Sequence, residues 1–259
     1  MKTASLCLAG TLAGLCSAAT AEEWHYSLGL GASNAPRYSG SDERVSAPLV
    51  NLEVEGPYGF FLDLDKGLGW QHDWQDASLA LYAGPSERRK DRRSRFHGSD
   101  RLNGLGSIDA RPRLGLAGTY DIGPVTLGAT FEHALRKDSE RDTGSAFSSL
   151  ELSLSGGLYE GRFGRLNGAL DSRFGDGDYL RTWYGVSARQ AARSRFKAYD
   201  AHGGLVSIGA SLTWRYPLGQ DTSLIGAFDI QRLAGDAGDS PIVERRTQSS
   251  LSALVEYRF

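Results

Sequence analysis

From Val206 onward the even positions read Val206, Ile208, Ala210, Leu212, Trp214 and Tyr216, with Ser207, Gly209, Ser211, Thr213 and Arg215 between them. Successive Cβ atoms of a strand point to opposite sides of the pleat. A period of two is therefore the mark of a strand with one apolar face. The same alternation runs through Pro112, Leu114, Leu116, Gly118 and Tyr120, and through Val125, Leu127, Ala129 and Phe131. It closes the chain at Leu251, Ala253, Val255, Tyr257 and Phe259. A chain patterned in this way is predicted to be all-β.

A soluble sandwich alternates as well, and three features separate the two. Aromatic residues gather near the ends of the apolar faces, at Trp24, Tyr26, Trp70, Trp74, Tyr120, Trp214, Tyr216 and Tyr257, where a membrane-interface girdle would place them. The opposite face carries both signs of charge: Asp63, Arg111, Arg113, Glu132, Glu151, Asp171, Arg173, Arg215, Asp229, Glu256 and Arg258. The last strand ends on phenylalanine and resembles the signal read by the outer-membrane barrel assembly machinery, with Tyr257 and Phe259 as the signal residues. The expected fold is a transmembrane antiparallel up-and-down β-barrel. Only the lipid-facing half of each strand must then be apolar, and closure satisfies every backbone donor and acceptor.

About twelve strands are predicted, at 24–33, 44–55, 57–65, 67–74, 77–84, 110–121, 124–135, 147–160, 162–174, 204–217, 221–233 and 248–259. Links after even strands are short, as at Glu55-Gly56-Pro57 and Glu160-Gly161-Arg162. Links after odd strands are long, at 34–43, 85–109, 134–146, 175–203 and 234–247, apart from Asp65-Lys66-Gly67. Short periplasmic turns alternating with long extracellular loops are what such a barrel requires when both termini are periplasmic. The fourth and fifth strands are short, which leaves counts of ten or fourteen open.

The first residues read as an export signal. Lys2 precedes an apolar run from Leu6 to Leu15, and Ala19-Thr20-Ala21 supplies small residues before Glu22-Glu23, predicting cleavage after Ala21. Cys16 would suit a lipoprotein signal, but Leu15 stands where such signals carry Gly or Ala. The expected division is a signal peptide at 1–21 and a single barrel domain at 22–259. Cleavage would remove Cys7 and Cys16, and with them any disulfide, zinc thiolate or cysteine nucleophile. A formal net charge of −2 argues against a nucleic-acid partner.

Three stretches carry a resemblance to a known family. The first is Tyr179 to Ser194 followed by Ala198-Tyr199-Asp200 and Gly203-Gly204. The second is Leu233-Ala234-Gly235-Asp236-Ala237-Gly238-Asp239-Ser240-Pro241-Ile242-Val243. The third is Leu28 to Gly31 with Pro36-Arg37-Tyr38-Ser39-Gly40-Ser41-Asp42 and Pro48-Leu49 leading to Tyr58. These segments resemble the MltA-interacting protein/OmpV family of outer-membrane proteins, with Lys197 standing where the family has proline. The resemblance implies an outer-membrane barrel with no catalytic residues. It also implies a scaffold role: the namesake joins a lytic transglycosylase to a peptidoglycan synthase.

The chemistry-bearing residues are few. His25, His72, His97, His133 and His202 show no metal-ligand spacing, and no cofactor motif occurs. The sharpest catalytic arrangement is a lipid-facing serine hydrolase built from His133 with Ser145 or Ser148; the plainer reading is an interfacial histidine at a strand end. The densest charge run, Glu87 to Arg95, offers Arg88, Arg89, Arg92 and Arg93 as lipopolysaccharide phosphate contacts. The plainer reading there is a solvated loop, partly self-paired through Glu87 and Asp91. In the long link 175–203, Ala188 to Phe196 reads as a short helix, either folded inward as a plug or lying over the mouth. The function expected is a non-enzymatic outer-membrane scaffold without a cofactor, in contact with lipid and lipopolysaccharide. A small-solute channel is the alternative and a lipid-acting enzyme the remote one.

Overall fold

The computed structural model describes residues 24–137 and 142–259; the segment holding the signal and its cleavage site at Ala21 lies outside the described residues. Twelve antiparallel strands close into one barrel in sequence order, β1 to β12, with β1 pairing β12. They span β1 His25–Pro36, β2 Arg44–Glu55, β3 Phe60–Asp63, β4 Gly67–Asp73, β5 Ala77–Pro85 and β6 Pro112–Ile122. The second half runs β7 Val125–Ala134, β8 Phe147–Gly161, β9 Gly164–Gly175, β10 Gly204–Pro217, β11 Thr222–Leu233 and β12 Thr247–Arg258. Three short helices follow from the links: α1 Gly177–Tyr184, α2 Ala188–Arg193 and α3 Gly235–Asp239.

The register explains the alternation. Leu30 faces Val50 on one side and Val255 on the other, and all three side chains stand out from the wall, more than two-fifths exposed. Leu114, Leu127, Phe131, Leu152, Leu170, Leu212 and Phe228 continue that apolar belt. The intervening residues point inward, and several of their charges pair, two pairs between neighbouring strands and the third, Arg215 on β10 with Glu256 on β12, across the strand between them. Arg113 Nη1 lies 2.8 Å from Glu132 Oε1, Arg173 Nη2 2.8 Å from Glu151 Oε2, and Arg215 Nη1 2.6 Å from Glu256 Oε1.

The barrel has a turn end and a loop end, and the girdle aromatics gather at the turn end. Trp24 stacks with Tyr26, Trp214 with Tyr216, and Tyr257 meets Phe259 edge-on at 4.7 Å. The indole of Trp214 donates to Phe163 O (2.7 Å) and that of Trp70 to Tyr58 O (2.9 Å), so each ring is pinned to a turn. An apolar body with a polar tip suits a boundary between an apolar and a wet layer.

One strand departs from expectation. The segment predicted as a strand over 57–65 is a strand only at Phe60–Asp63, because Pro57–Gly59 forms a 3-10 turn with Tyr58 at φ 63°. Proline fixes its own φ and has no N–H for the ladder. As a result β3 pairs with β2 only from Glu53 to Glu55, and Leu64 N–H adds a bond to Leu52 O. That bond, with Arg37 N–H to Glu43 O on the other side, places the main-chain groups of even-numbered β2 residues toward β3. Ser46, Pro48 and Val50 therefore face a side without a strand partner among the described residues. Proline at this edge leaves no donor to be satisfied there.

Candidate functional site

The packed hydrophobic core among the described residues lies in neither the lumen nor the wall; it closes the loop end. Tyr38 comes from the link 37–43, and Leu102, Leu105 and Ile108 from 86–111. Tyr179, Leu180, Trp183, Tyr184 and Val186 come from 176–203, and Ala237 and Ile242 from 234–246. The strand-end residues Ala134, Phe147, Val206 and Leu233 complete it. Links this long are ordered because they bury apolar side chains against one another.

Local chemistry sets each piece. Asp176 caps α1 by accepting Tyr179 N–H (2.7 Å), and Gly185 ends it by donating to Leu180 O and Arg181 O. Spacing at 179, 180, 183 and 184 puts the aromatic side chains on one helix face. That face meets the inner wall: Tyr179 and Trp183 line a small cavity with Arg113, Glu132 and Arg173. Ser187 and Gln190 cap α2 reciprocally, and Gln190 Nε2 reaches Leu105 O at 2.6 Å. The helix stops at Arg193, three residues short of the predicted end. Ser194 is extended there, which turns Phe196 back into the core. The link 175–203 thus forms a stopper seated in the mouth.

Charged groups tie the stopper together. Asp142, with its side chain only 5% exposed, accepts Arg189 (2.9 Å), Arg193 (2.8 Å) and Ser187 (3.1 Å). Burial pushes its carboxyl up, but the bonds from Arg189 and Ser187 and the two guanidinium charges outweigh that and hold it below its ordinary value. Arg111 Nη1 and Nη2 donate to Ser145 O and Thr143 O. Glu87 descends to within 3.6 Å of Arg173 on the inner wall. Tyr38 donates to Ile242 O (3.1 Å), and Gly40 N–H to Gln248 Oε1 (2.8 Å). Burial pushes the phenols of Tyr38, Tyr179 and Tyr184 above their usual range, so all three are neutral at physiological pH.

The run of arginines divides. Arg88, Arg92 and Arg93 are exposed, whereas Arg89 is 5% exposed. The backbone bridge Arg89–Ile108 turns it inward, and its Nη1 donates to Trp183 O. The expected self-pairing is also absent among the described residues: Glu87 pairs with Arg173, and Asp91 accepts Ser107 Oγ.

His133 and Ser148 face each other across β7 and β8, with Nδ1 2.9 Å from Oγ. Ser148 N–H is taken by Asp176 Oδ2 at 2.8 Å. That places a carboxylate where an oxyanion would need a donor, and among the described residues no side chain orients the imidazole. Ser145 lends its carbonyl to Arg111. His202 binds Asp236 Oδ2 at 3.0 Å and so fixes α3. At the other end of the barrel, Tyr257 pairs with Leu28 and Phe259 N–H donates to Tyr26 O, which places both residues at the closing seam.

Sequence reasoning missed α1 and Asp142. The Asp-Gly-Asp entry of α1 and its 179/180/183/184 spacing were the available signal for the helix. Asp142 carried no signal, because its partners lie some fifty residues along the chain.

Comparison with known proteins finds relatives over most of the chain. The chain is 26% identical over 252 residues to an Escherichia coli O157:H7 protein described as an outer membrane protein, YiaT, covering 94% of each chain. It is 28% identical over 171 residues to outer membrane protein Omp26La of Vibrio anguillarum, covering 62% of this chain and 60% of that one. Among solved structures, the COG4313 outer membrane channel from Pseudomonas putida F1 superposes with a TM-score of 0.48 at 12% identity, covering 91% of this chain and 95% of that one. The family model for MltA-interacting protein MipA matches residues 28–259. With nearly all of the barrel inside that match, the chain belongs to the MltA-interacting protein MipA family of outer-membrane barrels.

Proposed function

We propose that this outer-membrane barrel is a closed, non-enzymatic scaffold that holds cell-wall enzymes at the membrane, with its loop end outside the cell and both termini in the periplasm. The stopper core is the observation that carries the reading. Three links bury Leu102, Leu105, Ile108, Leu180 and Ile242 completely or nearly so across the mouth, and Arg113–Glu132, Arg173–Glu151 and Arg215–Glu256 pair between strands on the inner face. A diffusion pore needs an open path along unpaired polar groups, and this lumen is stoppered. Membership of a family named for binding MltA supports a lytic transglycosylase as partner, with a peptidoglycan synthase as its counterpart. The exposed Arg88, Arg92 and Arg93 suit lipopolysaccharide phosphates beside the barrel. The unsupported His133–Ser148 pair favours a role without hydrolysis.

Planar-bilayer conductance tests the closed state. The refolded chain from residue 22 is expected to be silent, and a variant lacking 177–202 is expected to give steps. Reproducible steps from the intact chain would move the assignment to a small-solute channel. Capture of a purified lytic transglycosylase on the immobilised barrel tests the scaffold; absence of binding at micromolar concentration would remove it.

A further inference from the structure

Around the closing seam the outer wall changes character toward the loop end. The outward series on β2 runs Val50, Pro48, Ser46, Arg44, and that on β11 runs Phe228, Ile230, Arg232. On β12 it runs Val255, Ala253, Leu251, Ser249, Thr247. Strands β11 and β12 pass from apolar to polar at the same height, since Ile230 is paired with Ser249 and Arg232 with Thr247. The apolar belt therefore ends here on two exposed arginines, Arg44 and Arg232.

The seam also opens at this level. Strand β1 is paired with β2 as far as Pro36–Arg44, but with β12 only as far as Asn34–Leu251. Past the end of that ladder lies a recess of about 560 Å³, whose lining includes Pro36, Arg44, Ile230, Arg245, Arg246 and Ser249. Arg44 is set across it. Its Nε donates to Asn34 Oδ1 (2.7 Å), its Nη2 to Asn34 O (3.0 Å) and its Nη1 to Ser249 O (2.8 Å). All three acceptors are neutral, so the guanidinium is held in place with its charge unmatched. The remaining charges divide. Arg246 pairs with Asp239, and the lining carboxylate Glu244 with Arg101 at 2.9 Å. Arg245, anchored by its backbone N–H to Gly40 O, is exposed, and so is Arg232. Neither side chain has a bonding partner among the described residues. The other lining carboxylate, Asp42, sets one negative charge against the three positive charges of Arg44, Arg232 and Arg245.

We infer that this recess binds the phosphorylated head of an outer-leaflet glycolipid, the lipid A end of lipopolysaccharide. Arg44 and Arg245 take a phosphate, Arg232 stands at the rim, and an acyl chain lies on Ile230, Leu251 and Phe228 below. The excess of positive charge suits phosphate, which guanidinium groups receive well. All three arginines are exposed, so a headgroup reaches them from outside the wall. Directly beneath them the surface is lipid-facing and apolar, with Ile230, Leu251 and Phe228 each more than two-fifths exposed. A free ion would use the charges alone; a lipid uses both surfaces. A phosphate held here would also tie β2 to the link 234–246 across the seam where the ladder stops. The choice of leaflet rests on the orientation proposed above, and the scaffold role does not enter.

The probe is lipid A carrying two phosphates, added to the chain from residue 22 in detergent micelles and counted as retained adducts by native mass spectrometry. Its monophosphorylated form and phosphatidylglycerol serve as references, and both are expected to be retained less tightly. Replacing Arg232 and Arg245 together with serine removes two cations that bond to nothing within the protein. Retention should weaken about tenfold or more. Replacing Arg195 and Lys197 with serine takes the same charge from exposed stopper residues outside the recess, and should leave retention within about twofold. Equal loss in the two double variants would reduce the effect to overall charge and overturn the site. Loss confined to a variant with serine at positions 88, 92 and 93 would overturn it by placing the phosphate on that run of arginines. Tighter retention of phosphatidylglycerol would overturn the choice of lipid. Orientation is read separately, by labelling an Asp200→Cys variant on intact cells with a membrane-impermeant maleimide. Labelling is expected; a protected thiol would overturn the outer leaflet as the source, even with the micelle affinities unchanged.

Discussion

Gly115 on β6 shows how a single residue shapes the lumen. A Cβ there would lie 2.0 Å from the ring of Tyr82 on the facing strand, which lies across the inner wall and donates to Glu132 Oε1 at 2.7 Å. Gly118, on the outward face of the same strand, has nothing closer than 3.6 Å. Gly115→Ala should therefore cost about 1–3 kcal/mol by overpacking, whereas Gly118→Ala should stay within about 0.5 kcal/mol, as ordinary surface changes do. Urea unfolding from lipid vesicles would separate them, and equal effects would mean that the Tyr82 packing is wrong. The sequence says that both glycines sit in a strand, and the period says which faces in; it does not say which one another side chain lies against. Arg89 teaches the same lesson. A run of arginines reads alike whether its members are solvated or turned inward, and only the Arg89–Ile108 bridge decides.

At the scale of elements, the strands were legible because their period is local, and eleven of the twelve lie close to their predicted limits. The exception, β3, was shortened by Pro57 and by a positive φ at Tyr58, which a residue other than glycine seldom adopts. The helices were harder. Each is shorter than an isolated helix can sustain in water, so each exists only through its neighbours. For α2 that neighbour is Asp142, and a pH dependence follows. Its folded-state carboxyl titrates below the ordinary value of about 3.9. The stabilisation is therefore fully present above that ordinary value and lost as pH falls through the lowered one. Arg189 and Arg193 are more than half exposed, so solvent screening limits the gain to about 1 kcal/mol. Asp142→Asn should speed amide exchange in α2 at pH 7, and the difference from the unaltered chain should shrink below pH 3. A difference that persists in acid would show that the carboxylate charge is not the cause.

The whole molecule is a wall and a stopper built on different rules, and this is why one was readable and the other was not. The wall repeats a two-residue period and pairs each strand with its sequence neighbours, so alternation and link lengths define it. The stopper gathers residues as distant as Tyr38 and Ile242 through non-periodic links, and nothing local marks them as a single core. If the two are separable, the stopper can be cut away without unmaking the wall. Gly175 on β9 is paired directly with Gly204 on β10, so removing 177–202 joins Asp176 to Gly203 as a two-residue turn across an existing hairpin. Two-residue loops suit antiparallel neighbours, and no wall hydrogen bond is broken by the cut. The loss falls on Leu102, Leu105 and Ile108, which would face water, so the links 86–111 and 234–246 should become sensitive to protease. The strands should still close in lipid, where unpaired backbone is prohibitively costly. The shortened chain is thus expected to keep the heat-modifiable gel mobility of a folded barrel while losing protease resistance in those two links. A shortened chain that fails to close would mean that the stopper templates the wall, and the closed state would then be a condition of folding rather than a property added to a finished barrel.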